Sequence, residues 1–175
     1  MRILILAAAL LLATGGGAFA GNHPIGEPVE KNGMRLAAAF IQSVTIDPQD
    51  EFCGPVEADI HMTVDIRGLD KNPHGFAVGE WIPDLGVKFE VTKRGTGFAR
   101  KGVLVPMGAN SGPHYGANVK LDGPGRYHVV MTVSPPSQRG FYRHTDRETG
   151  VASWWTPFTQ EWDFVFVGVG NKGGY

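Results

Sequence analysis

A single cysteine, Cys53, stands in the 175 residues, so no internal disulfide can form and the fold must rest on its hydrophobic core. Cys53 reads as a small, partly buried side chain, with an intermolecular disulfide as the other reading. Surplus charge of either sign is missing too. Sixteen Lys and Arg face 17 Asp and Glu, which removes the electrostatic argument for nucleic acid or an anionic membrane surface as partner. No long stretch places apolar residues at i, i+3, i+4 and i+7, so helix is scarce. HExxH, CxxC, GxSxG and a Gly-rich loop opening a helix are all absent, which leaves no signature of a metalloprotease, thiol redox enzyme, serine hydrolase or nucleotide binder.

The one apolar run, residues 3–12, falls short of the ~20 residues that span a bilayer. With Arg2 before it and Ala18-Phe19-Ala20 after it, it has the layout of a cleavable secretory signal, with cleavage expected after Ala20. No Cys follows that bond, so a soluble exported protein is expected rather than a lipid-anchored one. Residues 21–175 then suit one domain with a real core.

What is present is alternation. In "EADIHMTVDI", Ala58, Ile60, Met62, Val64 and Ile66 share one face, while Glu57, Asp59, His61, Thr63 and Asp65 share the other. "VKFEVTKR", "RYHVVMTV" and "EWDFVFVGV" read the same way, the last grouping Trp162, Phe164 and Phe166. Turns such as "RGTG" and "LDGPGR" separate them, and Gly (25) and Pro (12) recur throughout, which predicts an all-β, immunoglobulin-like antiparallel sandwich. "DGPGRYHV" predicts a tyrosine corner at Tyr127. "NHPIGEPVEKNGM" reads as a lead-in segment and "RLAAAFIQSVTI" as the first strands.

The stretch "PMGANSGPHYG" sets a thioether, Met107, and an imidazole, His114, at the two ends of a turn-rich loop. Facing strands on either side would bring the two donors together, and a soft donor beside a borderline one suggests a metal. His61, on the polar face of its strand, and His144, in "FYRHTDRETG" with Asp146 as a partner for its imidazole, are the next candidates. His128 reads as a rim residue, and His74 and His23 as weaker candidates. Each has an ordinary reading as well: Met107 as core filler, His61 as a hydrogen-bonded strand residue, His144 as an exposed loop residue. A blue copper centre fails for want of a Cys near any His/Met pair. No acid/base pair or substrate pocket supports a defined reaction.

Over nearly the whole chain beyond residue 20, the segments "HPIGEPVEKNGM", "EADIH", "NPHGFAVGEWIPDLGVKFEV", "PMGANSGPHYGANVKLDGPGRY", "FYRHTDRETGVASWWTPFTQEWDF" and "NKGGY" resemble the periplasmic iron-transport proteins that bind copper and iron beside an Ftr-type iron permease. The resemblance implies an immunoglobulin-like fold, a homodimer with a metal near its interface, and ligands at His61, Met107, His114 and His144. It implies a periplasmic protein that binds copper and iron ions and serves iron uptake with an inner-membrane permease. Metal-centred iron oxidation stays open. At Thr63 this chain departs from the family, which often carries Glu there. Loss of that carboxylate points toward copper over Fe(III), unless Glu57 or Asp59 replaces it. A second site using Glu27 or Glu30 is a weaker implication. Two other classes fit the residues: a copper chaperone or buffer without a link to iron, and a binding module whose histidines are incidental. Imidazole ligation predicts affinity that falls below about pH 6.5.

Overall fold

The structure, a computed structural model, describes residues 21–168. The expected signal segment, its cleavage bond and the "NKGGY" ending lie outside the described residues. Nine antiparallel strands appear in the order β1 (His23–Pro24), β2 (Val29–Lys31), β3 (Met34–Gln42), β4 (Ile60–Gly68), β5 (Gly86–Lys93), β6 (Ala99–Ala109), β7 (Gly112–Val119), β8 (Gly125–Ser134) and β9 (Phe158–Phe166). Among the described residues a single 3-10 turn, Pro136–Arg139, interrupts these nine strands. Among the described residues no helix is long and apolar enough to cross a membrane.

One sheet runs β1-β3-β4-β7-β6 with β2 on the flank of β3, and the other runs β6-β5-β8-β9. β6 belongs to both: Ala99 to Leu104 pair with β5, and Val105 to Ala109 pair with β7. A strand that changes sheets makes the corner of a sandwich, and this is the all-β immunoglobulin-like architecture the alternation predicts. The inner faces are those read from the sequence. Ile60, Met62, Val64 and Ile66 of β4 meet Tyr127, Val129, Met131 and Val133 of β8 in one core, all at most 1% exposed. Each such side chain contributes roughly 1.5–3 kcal/mol by leaving water, which is how the fold manages without a disulfide. The Tyr127 hydroxyl donates to Gly123 O at 2.6 Å and accepts from Asp122 N–H at 3.0 Å, closing the predicted tyrosine corner.

Two local differences from the sequence reading bear on the site. The lead-in segment itself forms β1 and β2, laid along β3. The turn between Met107 and His114 is shorter than its composition suggests: β6 and β7 stay paired to Ala109 and Gly112, leaving Asn110 and Ser111 at the tip.

Candidate metal centre

The outer face of the first sheet carries the candidate donors because of period-two alternation across three paired strands. His61 of β4 lies opposite Asn118 of β7, Thr63 lies opposite Gly116, and Met107 of β6 lies opposite His114. His61, His114 and Met107 therefore project from the same face of adjacent strands. The two imidazoles sit edge to face with centroids 5.8 Å apart. Beside them, Ala39 and Ala37 of β3 face Thr63 and Asp65, and their small side chains leave a cleft of about 1250 Å³.

The sequence places His61 on a wet face, and the structure corrects this: His61 is 2% exposed. Segment 43–55, between β3 and β4, crosses over the sheet and roofs it. Asn118 is the clasp. Its Nδ2 donates to Val44 O at 2.7 Å, its Oδ1 accepts from Val44 N–H at 3.2 Å, and its backbone N–H donates to Cys53 O at 2.8 Å. Gly54 permits the approach, since it has φ +81° and a Cβ there would stand 1.9 Å from Asn118 O. The roof also corrects the reading of Cys53, which lines the same cleft as His61. Its thiol donates to Pro48 O at 3.3 Å, and burial pushes its pKa up.

Hydrogen bonding fixes each imidazole in one tautomer. Asn118 Oδ1 can only accept, so His61 Nδ1 carries the proton of their 3.1 Å bond and Nε2 keeps its lone pair. Gly112 O does the same for His114 Nδ1 at 3.3 Å. Among the described residues His114 Nε2 is buried without a hydrogen-bond partner, a lone pair that a metal ion could take. Room for His61 Nε2 depends on Gly116: a Cβ there would lie 2.7 Å from it and 3.3 Å from His114 Cδ2. Imidazole nitrogens oriented in this way beside a thioether fit Cu(I), Cu(II) or Fe(II). Desolvation, with a smaller contribution from His114, lowers the His61 pKa to about 4 against the opposing Asn118 bond. At His61, protons therefore compete with a metal only well below the expected pH 6.5.

Three of the four predicted donors come together, and the fourth does not join them in one chain. His144 is exposed and does not line the cleft, and among the described residues no three His, Cys, Asp or Glu side chains cluster. It is nonetheless oriented like the others. His144 Nδ1 donates to Thr149 Oγ1 at 2.7 Å, and that hydroxyl donates to Asp146 Oδ2 at 2.7 Å. The bonds from the Thr149 side chain and then its backbone, with that from Glu148 N–H, hold the Asp146 carboxyl down at about 2. Asp146 thus supports His144 through Thr149 rather than directly.

The carboxylates differ from expectation. Asp59 is bound to Lys120 at 3.0 Å and to Leu121 N–H at 2.7 Å, and Glu57 is exposed; neither lines the cleft. The strand carboxylate that does is Asp65, which accepts from Arg67 Nε at 2.7 Å. The sequence reading passed over Asp65, although its place two residues beyond Thr63 on one face was the available signal. Glu27 lines the cleft and Glu30 does not. Of the weaker histidines, His74 is buried against Trp154 and Trp155, and His128 lies on the other sheet.

An immunoglobulin-like β-sandwich with two imidazoles and a thioether on one face of its first sheet has the donor set of a metal-binding protein. The chain belongs to the Fe2+ transport protein family, whose profile matches residues 19–168. It is 44% identical to a UPF0423 protein of Brucella abortus over 99% of this chain and 97% of that one. It is 34% identical to a 34 kDa membrane antigen of Treponema pallidum, over 80% of this chain and 71% of that one. Among solved structures, FetP of uropathogenic E. coli, expressed in the periplasm, superposes with a TM-score of 0.81 at 42% identity, covering 86% of this chain and 99% of that one. Copper-reconstituted P19 of Campylobacter jejuni superposes with a TM-score of 0.82 at 39% identity, covering 86% of this chain and 99% of that one.

Proposed function

We propose that this protein is exported to the periplasm with its leader removed after Ala20, binds copper and iron there, and takes part in iron uptake with an inner-membrane permease. The observation that carries the reading is the buried, unpartnered His114 Nε2 facing a cleft it shares with His61 and Met107. His61 Nε2, His114 Nε2 and Met107 Sδ are the donors from one chain. His144 Nε2, which does not line the cleft of its own chain, is the donor from a second copy. A cleft of about 1250 Å³ is far larger than an ion and its waters need, at about 30 Å³ per water, and supports a loop of another chain entering it. The protein is accordingly a homodimer. The permease and the iron role rest on family membership, and no group in the cleft supports a substrate-transforming step of its own.

A specific observation favours copper within this reading. Two residues beyond His61 on the same strand face stands Thr63, whose hydroxyl donates to Ala39 O at 3.3 Å, so that position supplies no carboxylate to the imidazoles, and the next along the face, Asp65, pairs with Arg67 through Oδ2 at 2.7 Å. Calorimetry with Cu(I), Cu(II) and Fe(II) on the wild type and on Thr63→Glu tests this; equal relative affinities in the two proteins would remove the argument. Mixing His61→Ala chains with His144→Ala chains tests the shared site. Restored binding in the mixed dimer, absent from either variant alone, is expected. Binding that survives His61→Ala, Met107→Ala, His114→Ala and His144→Ala singly would refute the site.

A further inference from the structure

The chain holds a second metal-binding arrangement that the His/Met cleft does not use. Residues 21–23 read Gly-Asn-His. Once the leader leaves after Ala20, Gly21 becomes a free amino terminus with an imidazole at the third position. Such a terminus offers four nitrogens in sequence: the α-amine, the amides of residues 22 and 23, and the ring. Fused chelate rings confine these to a plane, the geometry that Cu(II) and Ni(II) favour and that Cu(I) and Fe(II) do not.

The folded chain leaves this set accessible. Gly21, Asn22 and His23 are exposed, and no hydrogen bond to the His23 ring is present among the described residues. The ring is stacked on Phe40, with centroids 4.8 Å apart and planes at 21°, and so is held at the chain's edge. It already lies over Gly21, where a Cβ would stand 3.2 Å from Nε2. His23 is the last pair of β1, opposite Phe40. Drawing its amide onto a metal frays that one pair and leaves the next bond, Ile25 N–H to Ala38 O at 2.9 Å, in place.

We propose that the processed protein binds one Cu(II) or Ni(II) ion per chain at Gly21-Asn22-His23, separately from the His/Met cleft. Binding displaces one ammonium proton and two amide protons, and the neutral imidazole adds its lone pair, so affinity rises with pH. Asn22 and Pro24 line the cleft, whereas the His23 ring lies on Phe40, on the other face of β3, so the two sites are separate. The inference rests on cleavage after Ala20, and the experiment reads that separately.

The test is protein exported and processed in bacterial cells, weighed intact, then titrated with Ni(II) under visible absorption and circular dichroism. The expected results are a mass matching residues 21–175 and the yellow band of planar, diamagnetic Ni(II), saturating at one equivalent and unchanged in His61→Ala and His114→Ala. His23→Ala abolishes the band. Asn22→Pro abolishes it as well, because it removes one amide proton while keeping the imidazole. A chain starting at Gly21 that shows no planar band, or one whose band survives Asn22→Pro, overturns the chelate. Cleavage at another bond overturns it through its premise and leaves metal binding in the His/Met cleft as it was.

Discussion

The two outer faces of the sandwich each carry a strand histidine, and their surroundings make them different groups. His61 on β4 is roofed, its partner is the uncharged amide of Asn118, and its free nitrogen faces another imidazole. His128 on β8 is on the rim, with Asp163 3.0 Å from Nδ1 and Glu161 3.4 Å from Nε2, and Arg94 bound to the same Asp163. The Asn118 amide engages Nδ1 of His61 and leaves Nε2 free, whereas carboxylates stand at both nitrogens of His128. Only the first arrangement leaves a ring nitrogen free for a metal. Burial is what keeps the His61 ring neutral, against the pull of its Asn118 bond, and the partner decides which nitrogen is left free.

The largest expected effect that tests the contrast is on metal affinity. His61→Ala or His114→Ala should weaken copper binding by at least about a hundredfold, read by calorimetry, while His128→Ala leaves it unchanged. Next is the pH dependence of the apoprotein. Because the His61 pKa lies near 4 when folded and about 6.5 when unfolded, the unfolded chain takes up the proton first as pH falls. Stability should therefore fall by roughly 3 kcal/mol between about pH 6.5 and pH 4, and urea melts of His61→Gln should lack that part of the slope. Retention of the full slope in that variant would place its origin elsewhere.

A smaller effect separates space from chemistry. Gly116→Ala keeps every donor but places a Cβ 2.7 Å from His61 Nε2, so the ring must turn away. Copper affinity should drop about ten- to a hundredfold with the fold intact by circular dichroism. The smallest effect belongs to the exposed cluster. His128→Ala should move Tm by no more than about 2 °C, and added salt should shrink the difference, as for other exposed ion pairs. A larger, salt-independent change would mean that the two histidines are more alike than their surroundings indicate.

Much of this was legible in the chain. Alternation at Ile60, Met62, Val64 and Ile66 fixed which face of β4 is dry, and turn chemistry brought Met107 opposite His114. Tyr127 was legible because the corner motif is local. The burial of His61 was not, because segment 43–55 has no period of its own and reaches Asn118 across 74 positions. For the same reason Cys53 looked remote from the histidines, and Asp65 looked like one more exposed strand carboxylate.

The amino-acid order determined the sandwich, the pairing of strands β6 and β7 and the kinds of donor available, since period-two burial and tight turns are local properties of the chain. It also determined the order Gly-Asn-His at residues 21–23, on which the proposed chelate rests. The tertiary structure alone decided that His61 is dry and neutral, that His114 Nε2 is left without a partner, and that Asp65 is tied to Arg67. It also decided that His144, although set in a ligand tautomer, lies outside the cleft of its own chain. These depend on which distant segments meet, and protonation and tautomer follow from the neighbours that folding supplies.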